Sequence, residues 1–78
     1  YNADVQVRAN DRQGLLAEIT SIINENKINI VSFYSRTSKD RTANINFVLE
    51  INDIEQLNKL IRRLRRIEGV IDVFRAKQ

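Results

Sequence analysis

The chain has 78 residues, 42% of them hydrophobic and 29% charged, with a net charge of +3, no Cys and no His. That composition describes one small globular domain: no apolar run approaches the ~20 residues of a membrane span, and Ile, Leu and Val are too plentiful for a disordered tail. Disulfides, thiol nucleophiles, Ser-His triads and the usual zinc sites are excluded, the scattered acids form no calcium loop, and no cofactor is expected.

A core of this size rarely supplies more than about 3–5 kcal/mol, so association or docking within a larger protein is a natural supplement. The first residue is Tyr1 rather than Met. The chain is therefore expected to be a piece of a longer polypeptide, a single domain over 1–78.

Residues 3–9 alternate, with Ala3, Val5, Val7 and Ala9 on one face and Asp4, Gln6 and Arg8 on the other. Period two predicts a half-buried strand. A polar loop, Asn10-Asp11-Arg12-Gln13-Gly14, ends it. Leu15, Leu16, Ile19, Ile22 and Ile23 then form one apolar stripe at helical spacing. Asn26 and Lys27 mark the exit, where Asn tolerates the left-handed conformation that ends many helices.

Residues 28–37 are rich in β-branched and aromatic side chains and predict a second strand. Its alternation is too irregular to assign Phe33 and Tyr34 to faces. Ser38-Lys39-Asp40-Arg41 is a polar hairpin tip. The third strand alternates cleanly, with Ala43, Ile45, Phe47, Leu49 and Ile51 inward.

Asn52 with Glu55, or Asp53 with Gln56, fits a capping box that opens a second helix. That helix should bury Ile54, Leu57, Leu60, Ile61, Leu64 and Ile67, and end at Glu68-Gly69 with Gly69 as a left-handed cap. Val70 to Arg75 is the fourth strand.

The order βαββαβ with right-handed crossovers predicts an α+β, ferredoxin-like sandwich. Its sheet should be antiparallel in the order 4-1-3-2, with both helices on one face.

Two stretches carry functional chemistry. Gly14 lies at the mouth of the first helix, where the N–H groups of Gly14, Leu15 and Leu16 and the helix dipole favour an anion. Asn10 and Asp11 could hold an ammonium group, so the loop could grip both ends of a free amino acid. Taken alone, the loop is better read as a cap by Asp11 and a tight turn at Gly14. The second stretch is basic. Lys59, Arg62 and Arg66 should share one solvent face of helix two, bordered by Arg63 and Arg65. Glu55 is placed four residues before Lys59 to pair with it. Dipole complementarity or a plainly solvated helix end explains such charge as well as a phosphate-bearing partner such as RNA backbone, which would account for the excess.

An RNA-recognition motif shares the βαββαβ order but stacks bases on aromatics of strands one and three. The outward residues of those strands here are Asp4, Gln6, Arg8, Asn44, Asn46 and Val48. None is aromatic, so base stacking there is not expected.

Asp11-Arg12-Gln13-Gly14-Leu15-Leu16 resembles the Asp-Arg-Pro-Gly-Leu-Leu opening of ACT domains. Ile28-Asn29-Ile30, Arg36-Thr37, and Gly69-Val70 with Val73 and Arg75 are similar to that family in turn. Within it, Lys27 through Thr37 and Ile67-Glu68-Gly69-Val70 look most like the C-terminal ACT domain of bifunctional RelA/SpoT-type (p)ppGpp synthetase/hydrolases.

The resemblance implies a non-catalytic, cytoplasmic, homodimeric regulatory domain. Its partners would be the catalytic domains of the parent protein and ribosomal RNA. It implies an alternative too: a sensor of a small apolar amino acid, as in ACT domains of biosynthetic enzymes. The family's ligand site would map onto Asn10, Asp11, Gly14, Leu15 and Leu16 of one subunit and Asn29, often of a second. Gln13 stands where the family has Pro, so the loop lacks one fixed dihedral.

Overall fold

The structure is a computed structural model and describes residues 1–76. Its elements are β1 (Asn2–Asn10), α1 (Leu15–Glu25), β2 (Asn29–Thr37), β3 (Thr42–Glu50), α2 (Ile54–Leu64) and β4 (Val70–Arg75). The four strands form one antiparallel sheet in the order β2-β3-β1-β4, the predicted arrangement read from the other edge.

Alternation dictates the core. Ala3, Val5, Val7 and Ala9 of β1 lie opposite Leu49, Phe47, Ile45 and Ala43 of β3, and all eight are buried. Leu15, Ile19 and Ile23 of α1 and Leu57, Leu60 and Leu64 of α2 close over them. Among the described residues no polar side chain is buried, so the interior is apolar throughout and specific chemistry is left to the surface.

Both edge strands carry an irregularity. In β2 the register shifts between Ile30 and Ser32, and in the β1–β4 pair it shifts between Arg8 and Ala9. The extra residues, Val31 and Ile71, are 51% and 52% exposed. Bulges of this kind are common on sheet edges, where they disturb pairing with other chains. The Val31 bulge explains the irregular alternation of β2. It reverses the phase, so that Phe33 lies opposite inward Phe47 and Tyr34 opposite outward Asn46.

Three local expectations are corrected. Asn26 does not take the left-handed position; its φ is −84°, and Lys27 has φ 59° instead. The Lys27 N–H donates to Asn24 O and the Ile28 N–H to Ile23 O, which is a Schellman motif closed by the buried pair Ile23 and Ile28.

Helix α2 ends at Leu64, not at Glu68. Residues 65–68 instead form tight turns, with Ile67 N–H on Leu64 O and Val70 N–H on Ile67 O, and Gly69 (φ 92°) turns the chain into β4. Ile54, expected in the core, is 48% exposed because it occupies the first turn at the helix margin. The α2 cap is the Asp53–Gln56 pair: Asp53 Oδ1 accepts the Gln56 N–H, and Gln56 Oε1 accepts the N–H of Asn52.

Candidate functional site

The loop between β1 and α1 is pinned at its base. The Asn10 N–H donates to Gly69 O at 2.8 Å, and the Asp11 N–H donates to Arg41 O at 2.8 Å. The loop therefore joins the α2–β4 turn on one side and the β2–β3 hairpin on the other. Gly14, at φ 82°, is the residue that precedes α1, in a conformation costly for any side chain with a Cβ. No side chain caps the helix, so Asp11 does not have the capping role expected of it.

Arg12 is the residue the sequence did not single out. Its guanidinium pairs with the Glu18 carboxylate, donates to Gln13 O, and donates through Nε to Glu68 O at 3.2 Å. One side chain thus ties the loop, the first turn of α1 and the α2–β4 turn together. The only short-range signal was an Arg beside a turn, because Glu18 and Glu68 lie six and 56 residues away.

The structure gathers Asn10, Asp11, Gly14, Leu15 and Leu16 at this corner. Leu15 is a buried core residue, and its N–H donates to Arg12 O. The N–H groups of Leu16 and Ala17 have no partner among the described residues. Asn29 is not brought to this corner. It pairs with Glu50 at one end of β3, whereas Asn10 pairs with Thr42 at the other. Eight residues of strand separate them, roughly 25 Å.

The basic segment is also divided. Arg65 donates twice to Val73 O, at 3.2 and 2.8 Å, and so fastens the end of α2 to β4. Arg63 pairs with Glu25 of α1 at 3.7 Å. Lys59, Arg62 and Arg66 are exposed, and their side chains have no ion-pair or hydrogen-bond partner among the described residues. Glu55 forms no ion pair with Lys59, contrary to the spacing argument. The unpartnered positive charge of this segment is thus these three side chains, with Arg63 and Arg65 engaged in holding the helix in place.

The face of the sheet away from the helices is the third surface. Register places Tyr34, Asn46, Gln6 and Phe74 in one row across it, and Arg36, Asn44, Arg8 and Asp72 in the next. The two aromatics come from the edge strands β2 and β4, not from the inner strands β1 and β3. Arg36 donates to the Tyr34 hydroxyl, which raises the guanidinium pKa further above its ordinary value. Among the described residues no helix is long and apolar enough to cross a membrane.

Against known proteins, the family model described as ACT domain matches residues 1–75. The chain is 41% identical over 71 residues to the bifunctional (p)ppGpp synthase/hydrolase RelA of Mycobacterium tuberculosis, covering 91% of this chain and 10% of that protein. It is 37% identical over 76 residues to the GTP pyrophosphokinase of Escherichia coli, covering 96% of this chain and 10% of that protein. Among solved structures, the ACT domain from GTP pyrophosphokinase of Chlorobium tepidum matches with a TM-score of 0.86 at 25% identity, covering 97% of each chain. The chain spans about a tenth of the length of the two enzymes it matches.

Proposed function

The chain belongs to the ACT domain family, homologous to the C-terminal ACT region of RelA/SpoT GTP pyrophosphokinases, and from that premise we propose that it is a non-catalytic regulatory domain of such an enzyme. In this reading it relays the state of the ribosome to catalytic domains elsewhere in the polypeptide. It does so through its surface, and the observation that carries the reading is the exposed trio Lys59, Arg62 and Arg66. Lys59 and Arg62 lie one turn apart on α2 and Arg66 in the turn that follows it; three unpaired cations so close in the chain repel one another and add little to folding. A partner bearing phosphates gives them a function, because Arg forks and Lys ammonium groups bind backbone phosphates without reading sequence. Ribosomal RNA is the partner of that chemistry which the relationship suggests.

The test replaces Lys59, Arg62 and Arg66 with Gln in the parent protein and measures ribosome affinity across a salt series. Circular dichroism of the triple variant should show α2 intact, because none of the three side chains holds another element. Affinity should fall, and the slope of log K against log salt should flatten by about one unit for each phosphate no longer neutralised. Unchanged affinity and slope would remove the RNA contact from the reading.

An amino-acid sensor is the second reading, supported by the unpaired N–H groups of Leu16 and Ala17 beside Gly14. Two features weigh against it within one chain. Glu18 already supplies a negative charge to the first turn of α1, and Asn29 lies at the far end of the sheet. A complete site would need Asn29 from a second subunit. Titrating the twenty amino acids against the amide signals of Asn10–Leu16 and Asn29 decides the matter: shifts at both places, lost in Gly14→Val, support the sensor, and silence at both retires it.

A further inference from the structure

The two rows across the open face enclose a groove of about 650 Å³, lined among others by Gln6, Arg8, Tyr34, Arg36, Asn46 and Phe74. That volume falls within the range of small-ligand sites. Apart from Arg36 and the Tyr34 hydroxyl, which bond each other, its polar groups are without partners: the side chains of Gln6, Arg8, Asn44, Asn46 and Asp72 form no hydrogen bond or ion pair among the described residues. A folding role does not require three amides side by side on a solvent face, and the strands that carry them are set by their inward residues.

We propose that this groove binds a nucleoside polyphosphate. The chemistry divides into two ends. The row Tyr34–Asn46–Gln6–Phe74 offers an aromatic ring at each side and amides between them. Rings stack on any base, and each amide presents both a donor and an acceptor, the pairing that base edges need. The next row lies two residues along the strands, about 7 Å away. It sets Arg36 and Arg8 two strands apart, about 10 Å, on either side of Asn44. The separation of the rows suits a base at one and its phosphates at the other, and two guanidinium forks suit a chain of phosphates better than a single one.

Asp72 sets the polarity. It ends the second row on β4, the strand that carries Phe74, next to Arg8 and at the far side of the sheet from Arg36. It repels phosphate at that end and can accept an N–H from the base. Phosphates therefore lie toward Arg36 and the base toward Phe74. The Tyr34 hydroxyl holds Arg36 over the face, with the guanidinium carbon 6.0 Å from the ring centre. This site is independent of the regulatory reading, which uses Lys59, Arg62 and Arg66, and of the sensor reading, which uses the β1–α1 loop.

The test is an amide-detected titration of the 78-residue chain with GTP, ATP, inorganic triphosphate and a short single-stranded RNA. Saturable shifts of the Gln6, Asn44 and Asn46 side-chain amides are expected with the nucleotides. Phe74→Ala and Arg36→Gln should each weaken binding about tenfold, the effect of one stacking or charged contact. Both side chains are exposed, so signal dispersion should show the fold retained. Three outcomes overturn the proposal: no shift at those amides at millimolar nucleotide, triphosphate alone binding as tightly as GTP, or the RNA binding far more tightly than either nucleotide. Nucleotide affinity unaltered in Phe74→Ala would overturn it as well.

Discussion

Single residues hold the corners of this fold, and two of them make contrasting predictions. Lys27 sits in the left-handed region at the Schellman position, where a Cβ costs about 1–2 kcal/mol. Lys27→Gly removes that cost at the expense of more freedom in the unfolded chain. The net expectation is a gain of about 0.5–1 kcal/mol, read as a higher urea midpoint at unchanged m. Gly69→Ala should go the other way. A Cβ there would meet Asn10 O at 3.5 Å, an ordinary approach, so the loss of about 1 kcal/mol would come from its φ of 92° rather than from a clash. Arg12 differs from both. Its ion pair with Glu18 is partly exposed and contributes little by itself, but it also closes the carbonyl of Glu68. Arg12→Gln should therefore lower global stability by less than about 1 kcal/mol while speeding hydrogen exchange in the 65–69 turn. Unchanged exchange there would show that Arg12 does not hold the corner.

Among the elements, α2 separates what packs from what is merely apolar. Leu60 is fully buried, whereas Ile54 is 48% exposed, although both lie on the stripe that periodicity marks out. Leu60→Ala should cost about 3 kcal/mol through weakened packing and the cavity left behind. Ile54→Ala should cost well under about 1 kcal/mol. Chemical denaturation of the two variants measures the difference. Strand β2 shows the converse. Phe33 lies opposite inward Phe47 with ring centres 6.0 Å apart, yet it is half exposed on the edge strand. With Val31 it leaves apolar surface on an edge, which suits side-chain packing of a second copy of the chain rather than strand pairing across the bulge. We expect the chain to dimerise through β2, and Val31→Lys to shift it toward monomer. Sedimentation that shows only monomer for the unaltered chain at millimolar concentration would count against this.

At the scale of the whole molecule, one thin apolar layer between a sheet and two helices supplies the stability. A single core of this size supplies roughly 3–5 kcal/mol, so a change such as Phe47→Ala, costing about 3–5 kcal/mol, should abolish the fold. Loss of the dispersed amide spectrum at room temperature is the expected result; a folded Phe47→Ala variant would mean the layer is stronger than its size suggests. Because the interior holds no polar side chain among the described residues, each candidate surface can be altered without loss of the core. The α2 cations, the loop at Gly14 and the open-face groove are for that reason separable by mutation.

Strand order, both helices and nearly every core position could be read from the sequence. Period-two and period-3.6 patterns report directly which side chains leave water, and β1 and β3 have both faces clearly marked. The ACT resemblance rested on local motifs around Gly14 and Gly69, whose backbone roles are local as well. What lay beyond the sequence depends on interactions between distant segments. The phase of Phe33 and Tyr34 turned on a bulge, which is defined only by the partner strand. The end of α2 at Leu64 was decided by tight turns and by Arg65 reaching Val73 O, interactions that periodicity does not record. The division of the arginines into engaged and exposed members needed Glu25 on another helix. The distance between Asn10 and Asn29 followed from antiparallel register, and the groove between Tyr34 and Phe74 exists only because the sheet places β2 and β4 on either side of β3 and β1. Local pattern determines which face of a segment is buried; tertiary pairing decides which exposed residues meet.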